Sequence, residues 1–309
     1  MRHRSAASLI VAVGLAGFVA VLVVACGGTP ASGPDTQRYQ APRSAYGDGK
    51  PDLNGIWQAL NTANWNVEDH QPGSGYADRF WQLGALVAEP PGVGVVEGGT
   101  IPYQPWALEK RKANFANRLV ADVYKKEEGD AELKCYLPGP VRANYMPYPF
   151  QLVQTHKYVT IAYQYANASR IIHMDKPQEP PVDTWMGWSN GRWDGDTLVV
   201  ETTGLNGYQW FDRAGNFMSE GTKVTERWTR IGPDHLEYEA TIEDPKVYTR
   251  PWKIRMPLYR IMDRNAQLLE FKCVEYSEEA LYGRLTKQPK GALRQGVTGP
   301  RITGSRSHQ

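Results

Sequence analysis

The chain has 309 residues, of which 41% are hydrophobic and 22% are charged, and its formal net charge is +2. A charge this small creates no strong field, so the composition argues against a protein that binds nucleic acid or an anionic surface. The 10 Trp, 17 Tyr and 7 Phe residues can supply a large aromatic core. A body of about 260 residues suits one large β domain.

The first residues have the pattern of a bacterial lipoprotein signal. Arg2 and Arg4 precede an apolar run over residues 9–24, and the letters VVAC end at Cys26. A charged start, an apolar stretch and small residues at the cut are typical of a secretory signal. We therefore predict a signal peptide over residues 1–25 and lipidation at Cys26, which anchors the protein to a membrane of the bacterial cell envelope, outside the cytoplasm. The alternative is an uncleaved membrane helix, although the run is at the short edge of the roughly 17–25 residues that a span needs.

Composition divides the rest of the chain into three segments. Residues 26–50 are rich in Gly, Pro and Ser and poor in large apolar residues, which predicts a flexible tether. Residues 51–286 contain the periodic patterns and predict a single β-rich domain with a helical insertion. Residues 287–309 are basic and Gly-rich, and we expect them to form a disordered tail in solvent.

Two cysteines remain beside Cys26, namely Cys135 and Cys273. An even pair in an oxidising compartment favours a disulfide between them. In the loop-closure model such a disulfide adds at most roughly 5 kcal/mol to the free energy of unfolding. The alternative is two buried, unpaired thiols. A catalytic thiol lacks support, because no histidine adjoins either cysteine in the sequence.

The first predicted elements of the domain are a strand and a helix. Residues 52–58 indicate the first strand, and a Gly- and Pro-rich loop region follows it to about residue 105. Over residues 106–126 apolar side chains recur every three or four positions, which predicts one amphipathic helix. The segment that leads to Phe150 contains several prolines and no periodicity, so we expect an ordered aromatic loop there.

From Gln151 onward the pattern alternates with a period of two, which predicts antiparallel strands with one buried face. The sequence Asp194-Gly195-Asp196 is a strong hairpin signal between two such strands. A meander of about nine or ten strands must close or curl to avoid exposed edges. The predicted fold is therefore mainly β: an antiparallel meander that closes into a barrel or a strongly curved sheet, with the helix outside.

Two resemblances support this interpretation. The letters NGIW at residues 54–57 resemble the Gly-x-Trp signature that opens the first strand of lipocalins and other calycin barrels, where the Trp packs across the closed end. More broadly, the chain is similar to a family of uncharacterised secreted proteins and lipoproteins from environmental bacteria. The segments that carry this similarity are CYLPGPVRANYMPYPFQLVQT, GRWDGDTLVVETTGLN, WFDRAGN, VTERWTRI and EDPKVYTRPW. That family has no assigned reaction, so the resemblance implies one extracytoplasmic domain and no catalytic residues.

The sequence predicts no cofactor and no metal. The histidines of the body lack the local spacing of a metal site. They are His70, His156, His173 and His235. The acidic segments at 194–196 and 212–216 offer oxygen atoms to calcium but are better explained as turns. The chain also lacks a Gly-rich phosphate loop and a G-x-S-x-G elbow, which disfavours nucleotide binding and an α/β-hydrolase.

Three interpretations of function remain. The first is a lipid-anchored barrel that binds a small apolar or aromatic ligand, because small-molecule pockets combine aromatic walls with a few polar groups. The predicted ligand-binding residues are Tyr163, Arg170, Trp185, Trp188, Trp193 and Arg227. The second is an envelope hydrolase in which Glu201 orients His173 as a general base. The third is a structural or interaction lipoprotein. The lack of a catalytic motif favours binding over catalysis. As alternatives, the charged strand residues belong to a solvated sheet face, and the Trp and Tyr residues belong to an ordinary aromatic core.

Overall fold

The computed structural model of the protein describes residues 39–78, 85, 87–122 and 124–271. Within them the protein is mainly β, with a closed barrel of nine strands and one α-helix, which confirms the predicted fold class. The predicted signal peptide, the lipidation site Cys26, the cysteine Cys273 and the basic tail lie outside the described residues.

The nine strands follow one another around the barrel in sequence order, and the last strand pairs with the first. The strands are β1 (Gly55–Gln58), β2 (Phe150–Gln154), β3 (Tyr158–Tyr163), β4 (Ser169–His173), β5 (Trp188–Asp194), β6 (Thr197–Thr203), β7 (Lys223–Gly232), β8 (His235–Glu243) and β9 (Trp252–Arg260). The helix α1 (Pro105–Ala116) belongs to the long connection between β1 and β2.

One pairing differs from the predicted antiparallel meander. Strands β4 and β5 pair in parallel, through Ile172 with Ser189 and His173 with Asn190. The cause is the connection over residues 174–187, which carries the chain back along the barrel before β5 begins. This parallel contact has only two residue pairs, whereas β7 and β8 are paired along most of their length.

Strand directions place the long connections together. Strands β1, β6 and β8 run in the same direction along the barrel. The connections that follow them therefore leave from one end of the barrel, which we call the loop end. The opposite end has tight turns, including the predicted Asp-Gly turn between β5 and β6. Gly195 in that turn has a φ of +59°, a conformation that suits glycine.

Side chains fill the interior of the barrel. Burial alternates strictly along β8, and Trp228 of β7 and Tyr238 of β8 are fully buried with ring centres 4.6 Å apart. Phe150 packs edge-on against Trp228 at 6.1 Å. Trp57 of the Gly-x-Trp segment is also fully buried, and its indole nitrogen donates to the Leu53 carbonyl at 3.1 Å. The alternation predicted from the sequence therefore produces a packed core.

The helix is shorter and more exposed than predicted. It ends at Ala116, where Asn117 leaves the helical conformation with a φ of −99° and a ψ of 8°. The side-chain amide of Asn117 caps the last turn by donating to the Ala113 carbonyl at 3.0 Å. Only Ala107 and Asn114 of the helix are buried, while Phe115 is 39% exposed. The helix therefore lies on the surface with one small buried stripe.

The predicted tether is folded in part. Ala41 and Ser44 are buried, and Arg43 pairs with Asp196 of the β5–β6 turn at 2.6 Å. The folded body therefore starts before Pro51 and includes part of residues 39–50. Among the described residues of the predicted tether, Arg43 therefore contacts the barrel.

Two further findings concern the anchor and the disulfide. Cys135 is disulfide-bonded, but its partner lies outside the described residues, so the pairing with Cys273 stays a prediction. Among the described residues, no helix combines the length and apolar character that crossing a bilayer requires.

Candidate functional site

A buried ion pair crosses the barrel interior. Arg170 of β4 makes two hydrogen bonds to the Glu226 carboxylate of β7, and both side chains are at most 2% exposed. The same guanidinium donates to Ser189 at 2.8 Å and to Thr202 at 2.7 Å. Four strands are thus joined by one arginine.

The remaining hydrogen-bonding groups beside this pair are also satisfied. Glu226 accepts from the hydroxyl of Tyr238 at 2.9 Å and from the side-chain amide of Asn144 at 3.2 Å. The hydroxyl of Tyr163 donates to Asn144 at 2.9 Å, and burial raises the pKa of both tyrosines above the ordinary value. Burial alone lowers the pKa of Arg170, but the Glu226 carboxylate outweighs it and raises that pKa. Because each charge has a partner, this part of the interior is built for stability.

The structure does not bring the six predicted ligand-binding residues together. Tyr163 and Arg170 lie in the packed interior, and Trp193 packs against the core. The others lie elsewhere: Trp185 stacks on Tyr136 in the loops at 4.8 Å, Trp188 stacks on His173 at 4.3 Å, and Arg227 pairs with Asp194 at 3.0 Å on the exposed surface. These six side chains are therefore distributed over the interior, the loops and the outer surface of the barrel.

The predicted acid–base pair does not form. His173 lies on β4 and Glu201 lies on β6, with Asn190 of β5 between them in the sheet register. Two strand spacings separate them by about 10 Å. Glu201 pairs instead with Lys223 at 3.4 Å, and its side chain is 45% exposed. Asn190 is bound to the backbone of Gln178, so it does not connect the two residues.

A second cluster of buried charges closes the loop end, and we call it the polar cap (Asn64, Asp130, Glu132, Arg142 and Arg213). Arg142 binds both oxygens of Asp130 at 2.7 and 3.0 Å and also donates to Glu132 at 2.8 Å. Arg213 makes two hydrogen bonds to Glu132, at 2.7 and 2.8 Å. Asn64 accepts from Arg142 at 2.8 Å. Each cation of the cap is thus matched by a carboxylate.

The polar cap and the interior ion pair are joined through one short turn. Arg142 and Asn144 belong to the same 3-10 turn, Arg142–Asn144. The side chain of Arg142 binds Asp130 in the polar cap, and the side chain of Asn144 binds Glu226 in the interior. Burial opposes the ionisation of Glu132, but the ion pairs with Arg213 and Arg142 outweigh burial and lower the pKa of Glu132 to about 2. Glu132 is therefore ionised throughout the physiological range.

A narrow cleft lies on the solvent side of the polar cap, with about 200 Å³ of empty space that is partly open to solvent. We call it the outer cleft, and its lining residues are Trp65, Gly75, Tyr76, Glu89, Phe115, Arg118, Arg213 and Ala214. The guanidinium of Arg213 forms part of its wall, 4.2 Å from the Trp65 ring and 4.6 Å from the Tyr76 ring. Aromatic rings and polar groups therefore meet at this point.

Close backbone approach brings the helix end and the β6–β7 connection to the outer cleft. Gly215 has a φ of +83°, and a Cβ atom there would lie 2.8 Å from Cβ of Asn114 and from the backbone nitrogen of Phe115. Only glycine permits that approach. The contact places Phe115 and Arg118 opposite Arg213, although these residues are distant in the sequence.

Glu89 is the carboxylate of the outer cleft, and His70 lies behind it. The Glu89 Oε1 atom is 3.9 Å from Nε2 of His70, and the two side chains are 17% and 7% exposed. Antiparallel backbone bonds of Gly73 with Glu89 and of His70 with Gly92 hold the two segments together. Burial raises the pKa of Glu89 above its ordinary value, although nearby positive charges oppose this. This cleft therefore combines a largely buried carboxyl group with aromatic walls.

The sequence reasoning named Arg170 but missed its partner Glu226 and the residues of the polar cap. Glu226 was overlooked in favour of Arg227, although the alternation of Val224, Glu226 and Trp228 in one strand places them on the same face. Glu89 and His70 lie in segments without periodicity, so no local signal marks them. The acidic turn at 212–216 is confirmed as a turn, because Asp212 accepts from the backbone of Ala214 at 2.9 Å.

Comparison with known proteins found no family model and no curated sequence that matches this chain.

Proposed function

We propose that this protein binds a small molecule with a single planar ring in the outer cleft, and that a lipid on Cys26 holds it at a bacterial envelope membrane. The observation that carries the proposal is the combination of Trp65, Tyr76 and Phe115 with polar groups around one cleft. Small-molecule sites combine apolar walls with a few placed polar groups.

The contrast between the barrel interior and the outer cleft supports this location. Interior charges such as Arg170 and Glu226 are buried and paired with one another. Their hydrogen-bonding groups are therefore not available to a ligand. The cleft opens to solvent, and its enclosed part has room for about one water molecule. A planar ring therefore requires the half-exposed side chain of Phe115 to turn outward and then to cover the ring as one wall of the site.

Binding of three single-ring compounds of different charge tests the proposal: benzamidine, benzamide and benzoate. Saturation-transfer NMR on the full chain measures each affinity. We expect at least one compound to bind and Phe115→Ala to weaken it by about tenfold, because an aromatic wall contributes on the order of 1 kcal/mol beyond its burial. Tyr158→Ala is the matched control, since that ring is similarly exposed, at 41%, on the outer face of β3.

The alternative locations give different results. Binding that Tyr163→Phe abolishes and Phe115→Ala leaves unchanged would place the ligand in the barrel interior instead. Failure of all three compounds to bind would contradict the proposal and favour the interpretation as an interaction lipoprotein. Unfolding temperatures of the variants separate a lost site from a lost fold.

A further inference from the structure

The Glu89 carboxylate has no hydrogen-bond donor in the part of the chain that the structure describes. Its own backbone N–H and C=O bind Gly73, so they do not reach the carboxylate. Its side chain is only 17% exposed, which limits hydration by solvent. An ionised carboxylate in this position lacks the partners that buried charges normally have.

The two cations that line the outer cleft bind other residues. Arg118 donates to Asp78 and to the Phe115 carbonyl, and Arg213 donates its hydrogen bonds to Glu132. The charge of Arg111 of α1 also lowers the pKa of Glu89. Arg111 donates a hydrogen bond to Asn216, however, and does not line the cleft. Among the described residues, none of these guanidinium groups donates a hydrogen bond to Glu89.

His70 does not supply a donor either. Its Nδ1 lies 2.8 Å from the Glu68 carbonyl, which can only accept, so Nδ1 carries the proton. In the neutral ring Nε2 then has a lone pair and no hydrogen. That atom is buried, has no hydrogen-bond partner among the described residues and lies 3.9 Å from Glu89. At 3.9 Å, Nε2 is too far from the Glu89 carboxylate for a hydrogen bond, so His70 leaves that carboxylate without a donor.

We infer that the ligand of the outer cleft carries a protonated nitrogen next to its ring, and that Glu89 binds this cation. The inference rests on the proposed binding function, and it names the class of ligand: a planar organic cation such as an aromatic amine or amidine. Its N–H groups supply the donors that the Glu89 carboxylate lacks. Charge-assisted bonds of this kind are roughly twice as strong as neutral ones.

Proton linkage follows from the same geometry. Burial raises the pKa of Glu89, while His70, Arg118, Arg111 and Arg213 lower it by their charge. The free carboxyl group therefore takes up a proton more readily than an exposed one does. Since a cation binds only the ionised form, binding of the cation becomes tighter as pH rises through the pKa of Glu89.

The experiment compares benzamidine, benzamide and benzoate, which share a shape and differ in charge. With the full chain at neutral pH, we expect benzamidine to bind at least about tenfold more tightly than benzamide, and benzoate to bind most weakly. Glu89→Gln keeps the side-chain shape and removes the charge, so we expect it to abolish this preference and the pH dependence of benzamidine binding. Glu97→Gln is the matched control, because Glu97 pairs with Lys253 at 3.6 Å on the exposed surface.

Each outcome distinguishes the inference from the proposed function. Binding of the three compounds with equal affinity, or a preference that persists in Glu89→Gln, overturns the inference and leaves the binding site intact. Tighter binding of benzoate also overturns it, since Arg118 or Arg213 would then select an anion. Failure of every compound to bind contradicts the proposed function itself. A second variant, His70→Gln, should retain the charge preference, because the carboxylate that binds the cation belongs to Glu89.

Discussion

Glu132 shows how a single buried side chain can be kept ionised by its neighbours. It accepts hydrogen bonds from Arg142 and Arg213 and is 10% exposed. Burial works against its charge, but the two arginines prevail and lower its pKa from 4.5 to about 2. A carboxylate whose pKa is lowered by folding stabilises the protein fully above the unfolded value, and this stabilisation is lost as pH falls toward the folded value.

Acid unfolding tests this residue. The lowered pKa of Glu132 corresponds to about 3 kcal/mol of unfolding free energy, which we expect to disappear between about pH 4.5 and about pH 2. Glu132→Gln should be less stable at neutral pH and should lack this part of the pH dependence. Urea titrations measure both quantities, with the exposed Glu109→Gln as control. A parallel loss of stability in the variant and the unmodified protein would assign the acid sensitivity to another group.

Strands β4 and β7 are joined by the buried pair of Arg170 and Glu226, although they are not neighbours in the sheet. Arg170 also binds Ser189 of β5 and Thr202 of β6. It therefore reaches across the short parallel contact between β4 and β5, which has only two residue pairs. At the scale of elements, the interior charges hold together two parts of the wall whose backbone pairing is brief.

Adjacent residues of one strand should respond differently to substitution. Glu226→Ala leaves Arg170 buried without a partner, and we expect a loss of about 3–5 kcal/mol in unfolding free energy. Arg227→Ala is the matched control, because its ion pair with Asp194 is exposed and contributes only about 0–1 kcal/mol.

Should Glu226→Ala fail to fold, the double variant Arg170→Met with Glu226→Leu keeps the test open. Replacing both charges by apolar groups is often neutral or stabilising, so we expect it to recover most of the loss. Equal effects of Glu226→Ala and Arg227→Ala would contradict a structural role for the interior pair.

The sequence predicted the elements better than the site, for a physical reason. Alternation along residues such as Leu236 and Tyr238 reports which face is buried, and a turn such as Asp194-Gly195-Asp196 reports a local backbone conformation. Both signals are local. The ion pair of Arg170 and Glu226 joins positions 56 residues apart, and no single stretch encodes it.

The outer cleft was not predictable by the same reasoning. Its walls come from separate connections, and they meet only because the strand directions collect these connections at the loop end. Trp65 and Arg213 are in contact across the cleft, with the guanidinium 4.2 Å from the ring, yet neither lies in a periodic segment. Periodicity identifies a face of an element, whereas a cleft formed by several loops depends on the complete topology.

For the whole molecule, the membrane anchor is the prediction with the clearest chemistry. Cys26→Ser removes the only thiol that the predicted signal offers for acylation. We expect the variant to lose incorporation of labelled fatty acid and to move from the membrane fraction to the soluble fraction of the cell. Trp188→Phe, within the barrel wall, should remain in the membrane fraction. A mature protein that still begins with Met1 would contradict the anchor.

The closed barrel also has a consequence for the order in which it assembles. Strands β5 to β9 form long ladders, and each connection between them is much shorter than residues 59–149, so their pairing requires less loop closure. Strand β1 must instead wait for the ordering of residues 59–149 and then meet β9 through only two residue pairs. We expect the C-terminal strands to nucleate folding and the joining of β1 to be the slow final step, during which the chain is most exposed to aggregation.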